Sequence, residues 1–217
     1  MTGSRIRVRA NELKLSDLTR RGRLSLRTRT EDHLLGKPPA RPTRGIALIL
    51  KAAEFAARKH RDQRRKDQSA SPYINHPIAL AEILSGDGQV RSADVLAAAL
   101  LHDTLEDTET TSAELTAAFG PKITRIVEEV SDDKRLPKQK RKELQVLHAA
   151  HISKSAKLVK LADKIANLAD IISSPPAGWS LERKREYFDW AKRVIDQVRG
   201  TNATLERRFD SLYRRRP

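Results

Sequence analysis

The chain has 217 residues, 38% hydrophobic and 33% charged, with 43 Lys and Arg against 28 Asp and Glu and a formal net charge of +15. That length favours one domain with a substantial core, and the absence of cysteine excludes disulfides, thiolate metal sites and thiol nucleophiles. The longest apolar runs, IALIL and VLAAALL, are far short of the roughly 18 residues that cross a bilayer, so a soluble, cytoplasmic protein with no membrane partner is expected.

The charge is uneven. Residues 1–45 hold 12 Lys and Arg against 4 Asp and Glu, which leaves the rest only mildly basic. Residues 1–42 read as a basic, disordered or weakly structured extension. Their four acids and the lack of a secretory apolar core argue against a targeting signal. Weak non-specific attraction to nucleic acid is the most such an arm offers, and no specific nucleic-acid binding is expected. The arm ends at the proline-rich KPPARPT, which cannot continue a helix, and a folded domain is expected over 43–217.

From Arg44 the pattern is helical almost throughout. IALILKAAEFAARKH has good helix formers and no Gly or Pro. A polar basic loop, RDQRRKDQSASPYINHP, then leads past Pro77 into the short helix IALAEIL, which the turn residues SGDG close. The next helix begins near Ser92 and runs through VLAAALLHDTLEDT. Its seven apolar residues pass without a break into His102, Asp103, Glu106 and Asp107. On one helix these acids share a surface at i+3 and i+4, where they repel unless they are solvated or neutralised by a cation. Thr111 with Glu114 fits a capping box, Gly120 a helix end, and Pro121 the start of the next helix.

Two later helices are clearly periodic. In KLVKLADKIANLADII, Leu158, Leu161, Ile165, Leu168 and Ile172 form a buried stripe beside a polar one of Lys160, Asp163, Asn167 and Asp170. In EYFDWAKRVIDQVRG, Phe188, Ala191, Ile195 and Val198 do likewise, and Gly200 stops the helix. No strand-like alternation, internal repeat or glycine-rich phosphate loop occurs. The fold class is all-α, a bundle of about eight to ten helices at typical helix sizes.

His76, His102, Asp103 and Asp163, from three separate segments, are the candidate metal ligands. Each alone has a bland reading: a histidine before a proline can cap a helix, and an aspartate on a helix can simply be solvated. Together, two imidazoles and two carboxylates suit Mn²⁺, Fe²⁺ or Zn²⁺, with coordination positions left for water and substrate.

The ordered set YINHP, LLHDTLEDT, EEVSDDK and KLVKLADKIANL, with QRRKD ahead of it, resembles the HD-domain hydrolases. Within them it is most similar to the hydrolase domain of the RelA/SpoT alarmone family in its small stand-alone form, that of the metazoan SpoT homologues. The resemblance covers about Ile46 to Gly200. It implies an HD-domain helical bundle with Mn²⁺ held by His76, His102, Asp103 and Asp163. It further implies hydrolysis of the 3′-diphosphate of ppGpp and pppGpp by a metal-activated water, giving GDP or GTP and pyrophosphate. Glu106 and Asp107 match the family's catalytic acidic pair, able to orient or deprotonate a water or to protonate the departing 3′-oxygen. Arg65 and Lys66 match the basic pair that contacts the nucleotide, Asn167 a residue near the ribose, and Tyr187 an aromatic near the substrate, although a core tyrosine would look the same.

The chain departs from the family at Ala166, where an aromatic is usual, and the expectation is an enlarged pocket. Only TNATLERRFDSLYRRRP follows Gly200, so degradation without synthesis is expected. Two other readings stand beside this one. One is another nucleotide phosphohydrolase of the fold, such as a NADPH 2′-phosphatase. The other is a non-catalytic nucleotide-sensing module, which would have no need of Glu106 and Asp107.

Overall fold

The helix formers that dominate the sequence after Arg44 fold as they read. A computed structural model describes residues 44–217 and contains ten helices over that range and, among the described residues, no strand. The expected basic extension, 1–42, lies outside the described residues.

Helix α1 (Arg44–Lys59) buries Ala52, Phe55 and Ala56. Helix α2 (Asn75–Ser85) starts two residues before Pro77 rather than after it. Proline in a first turn forfeits no hydrogen bond, and the early start fixes His76 on helical backbone. Helix α3 (Ala93–Leu101) is buried on every side from Val95 to Leu101, as a helix apolar all round must be, and α1, α2 and α6 pack around it.

The expected single helix through Asp107 is interrupted. Asp103 sits at φ −96°, ψ −2°, and α3 gives way to a one-turn helix α4 (Thr104–Asp107). The Thr104 hydroxyl takes the Leu101 carbonyl at 2.7 Å, which competes with continued helix. The Asp107 amide still bonds the Asp103 carbonyl at 2.8 Å, so the acids stay neighbours across the break.

Helix α5 (Ser112–Phe119) forms half of its capping box. Thr111 Oγ1 accepts the Glu114 amide at 3.1 Å, but the Glu114 carboxylate pairs with Lys59 at 2.9 Å instead of turning back. Gly120, at φ +83°, takes the left-handed backbone that ends α5, and Pro121 opens α6 (Pro121–Val130). The charged α7 (Lys138–Ala149) has no apolar stripe of its own and lies on α9 (Leu181–Asp196), with the Trp190 indole donating to the Lys142 carbonyl at 3.0 Å.

Helix α8 (Lys154–Ser173) is the hub, touching α2, α3, α6, α9 and α10 (Ala203–Tyr213). Leu161, Ile165 and Leu168 are wholly buried, while Leu158 and Ile172 at the ends of the expected stripe are only partly so. On the polar side Lys160 and Lys164 are buried as well. With so many neighbours the helix has no solvated face at its middle, and its polar stripe faces a polar interior. Ala166 is buried in the core and is not among the residues that line the clefts described below.

Candidate active site

The end of α3, the first turn of α2 and the middle of α8 meet. His76, His102 and Asp103 each offer a ligand atom within 4.8 Å of the others', and the two imidazoles stand 5.3 Å apart centre to centre. Asp163 lies outside that trio and joins on the His76 side, its Oδ1 3.3 Å from His76 Nε2. Lys164 Nζ at 2.8 Å and Asn167 Nδ2 at 2.6 Å hold the Asp163 carboxylate. The Tyr73 hydroxyl donates to Asp103.

His102 shows what the cluster accommodates. Its Nδ1 donates to the Ala99 carbonyl at 2.9 Å, which leaves Nε2 as the lone-pair nitrogen. That nitrogen is buried, makes no hydrogen bond, and lies 2.9 Å from a carboxylate oxygen of Asp103. A buried acceptor facing a carboxylate asks for positive charge between them. Burial disfavours a charged imidazole here, but Asp103 outweighs it and pushes His102 up to about 9. A proton or a metal cation satisfies the same demand. Against the cost of burial, His102 and His76 hold Asp103 well below the ordinary carboxylate range, and Lys164 and His76 do the same for Asp163. Burial pushes His76 down, towards the neutral form that ligates metal. The donor set therefore fits a divalent cation.

These four residues, with Glu106 and Asp107, line a pocket of about 190 Å³. Glu106 accepts the Asp132 amide at 3.1 Å and has Lys134 and Arg141 within 3.4 Å. Burial, then the charges of Asp132 and Asp103, push its carboxyl above the usual range. Lys134 bridges the acidic pair, reaching Asp107 at 2.5 Å, while Gln63 approaches Asp107 from the other side at 3.4 Å.

The pocket opens into a cleft of about 480 Å³ that Arg65, Lys66, Asn167 and Tyr187 all help to line. The basic loop is pinned from within, since Asp67 accepts the Ser71 amide at 3.1 Å. Arg65 pairs with Asp170 at 2.5 Å and lies 5.8 Å from the Tyr73 ring centre. Tyr187 packs between Trp179 and Trp190, with ring centres at 5.8 and 5.3 Å. All ten residues singled out from the sequence thus converge on one pocket and its adjoining cleft.

Several neighbours carried no signal of their own in the sequence. Tyr73 lies within the YINHP motif, but nothing marks its hydroxyl as the partner of Asp103. Lys134 and Arg141 sit in a charge-rich stretch where any lysine looks solvated. Lys160, in the pocket wall, reaches the Val130 carbonyl at 3.3 Å, and burial with Lys164 nearby pushes it down to about 8. Lys164 was legible only as the neighbour of Asp163.

Comparison with known proteins accounts for most of the chain. Residues 52–189 match the HD domain family. A guanosine-3′,5′-bis(diphosphate) 3′-pyrophosphohydrolase, MESH1, of Xenopus tropicalis is 56% identical over 167 residues, which cover 77% of this chain and 93% of the relative. The Homo sapiens protein of the same name is 54% identical over 170 residues, 78% of this chain and 95% of the relative. Among solved structures, a metazoan ortholog of SpoT described as hydrolysing ppGpp and playing a role in starvation responses aligns with a TM-score of 0.76 at 48% identity. The alignment covers 78% of this chain and 96% of that one.

Proposed function

We propose that this chain, which belongs to the HD-domain family and within it groups with the guanosine-3′,5′-bis(diphosphate) 3′-pyrophosphohydrolases, hydrolyses ppGpp and pppGpp to GDP or GTP and pyrophosphate. The observation that carries the reading is the meeting of His76, His102, Asp103, Asp163, Glu106 and Asp107 in one pocket beside a nucleotide-sized cationic cleft. A pure binding module has no use for a partly buried acid held above its ordinary pKa at such a place.

His76, His102, Asp103 and Asp163 would hold the cation, with Mn²⁺ the ion proposed for this nitrogen and oxygen set. When bound, it supplies Lewis acidity, screening the diphosphate's charge and acidifying water. Glu106 takes the proton of the attacking water, because its raised pKa brings it nearer to the working pH. Asp107, fixed by Lys134 and Gln63, orients that water. Arg65 and Lys66 hold the nucleotide by charge and by stacking. Asn167 braces Asp163 and faces the ribose side, and Tyr187 gives the sugar a rigid apolar wall. A cytoplasmic location, where such nucleotides occur, goes with this reading.

Product identification tests it. ppGpp should yield GDP and pyrophosphate in a metal-dependent reaction, with GTP a poor substrate. Orthophosphate and NADH from NADPH, without pyrophosphate from ppGpp, would establish the 2′-phosphatase alternative instead.

A further inference from the structure

His60 is buried just past the last residue of α1, and no step described so far uses it. Its amide bonds the Ala56 carbonyl at 2.9 Å, and its carbonyl takes the Gln63 amide at 3.0 Å. The ring lies against that of Tyr73, with centres 4.8 Å apart, and its Nδ1 is 2.7 Å from Gln63 Oε1. Gln63 lines the nucleotide cleft together with Asp107 and Tyr73, and its Nε2 is 3.4 Å from Asp107 Oδ2. The polarity of this chain of bonds is set from its carboxylate end. A carboxylate only accepts, so the Gln63 nitrogen faces Asp107, its oxygen faces His60, and Nδ1 of His60 carries the proton that it donates. Nε2 of His60 then bears the lone pair. It is buried and has no hydrogen-bond partner among the described residues. Buried polar groups are rarely left so, and a leucine would fill the space without that cost. The one polar contact that the imidazole makes through its ring is the bond to Gln63.

That bond settles an ambiguity at Asp107. Lys134 serves Oδ1. Tyr73 lies 3.4 Å from Oδ2, but its single hydroxyl proton goes to Asp103. Gln63 is therefore the neutral donor to Oδ2, and an amide free to turn over would present its oxygen to the carboxylate in half of its orientations and repel it. We infer that His60 is a positioning residue for the hydrolysis: by donating to Gln63 it holds the amide with its N–H towards Asp107, and so keeps that carboxylate aimed at the attacking water. This rests on the proposed function and extends the machinery to a residue that meets neither substrate nor metal. A network of this kind acts by fixing geometry before the reaction begins.

The test uses the full chain with ppGpp, reading kcat and KM for pyrophosphate release beside bound Mn²⁺ and the midpoint of urea unfolding. Asn and Leu have nearly the same shape, and only Asn offers an N–H where Nδ1 stands. His60→Leu should lower kcat roughly tenfold, the worth of one hydrogen bond, with KM and bound Mn²⁺ unchanged, whereas His60→Asn should keep most of kcat. Gln63→Met removes both ends of the link and should lower kcat to the same extent, and adding His60→Leu to it should cost nothing more. Equal rates for His60→Leu and His60→Asn, or the same His60→Leu loss in both backgrounds, would overturn the inference and mark His60 as a packing residue. Gln63 is only partly buried, so Gln63→Met reads the link even where a change at His60 unfolds the chain, and a wild-type kcat in that variant would also overturn it. Each of these results leaves ppGpp turnover by the wild type, and with it the proposed function, standing. No pyrophosphate from the wild type would remove both.

Discussion

His102 is oriented by the Ala99 carbonyl at Nδ1, which leaves Nε2 facing Asp103. His102→Ala removes the nitrogen that faces Asp103, so the protein should bind Mn²⁺ more weakly and lose most of its turnover, with metal content measured beside the rate. Full activity after chelation would contradict a metal role. Glu106 makes a different prediction. If its carboxylate form accepts the proton, activity falls as pH drops through its pKa. Burial has raised that pKa, so the acid limb of kcat/KM should lie above the position an exposed glutamate would give. Glu106→Gln should cost about 10²-fold or more with metal content unchanged. Parallel loss of metal and rate would make Glu106 a ligand or a folding determinant instead.

At the scale of elements, the break between α3 and α4 matters most. Asp103 leaves helical backbone at φ −96°, ψ −2°, and its carboxylate stands 2.9 Å from Nε2 of the preceding His102. The apolar run of α3 locks that corner in place, since every residue from Val95 to Leu101 is buried. The cap of α5 is separable from this machinery. Thr111→Ala removes the acceptor of the Glu114 amide and should cost about 1 kcal/mol, measured by urea denaturation, with hydrolysis at saturating substrate unaffected. Helices α3, α5, α6, α8 and α9 were legible because apolar periodicity or cap residues mark them. Helix α7 was not, because its sequence is charged on nearly every face and its one wholly buried residue is Ala149.

Across the whole molecule the core and the site share one helix. Leu161, Ile165 and Leu168 of α8 are wholly buried, and the other side of the same helix carries Asp163 and Asn167. A packing defect near α8 should therefore reach the chemistry. Phe188 on α9 is wholly buried, and Phe188→Ala should cost about 3–5 kcal/mol, a large part of a stability of order 5–15 kcal/mol. The midpoint of urea unfolding should drop accordingly. The variant should lose activity at temperatures where the wild type works, and metal binding should fail at the same denaturant concentration as the helical signal. A variant that unfolds like the wild type would show that α9 is not part of the cooperative core.

The helical class, the family and the identity of the candidate ligands were present in the sequence by itself. Helix propensity, caps and short motifs are local properties, and ligand chemistry belongs to the residue type. Which side of α8 meets water is not local. The stripe of Lys160, Asp163, Asn167 and Asp170 reads as a solvated face until α2, α3 and α6 close over it. Only that packing decided that Lys160 and Lys164 are buried cations of the pocket. The same holds for Trp179, Tyr187 and Trp190, ordinary core aromatics by spacing. The loop before α9 and the crossing of α7 gather them into the wall of one cleft of about 410 Å³, because burial and electrostatic environment depend on neighbours far away along the chain.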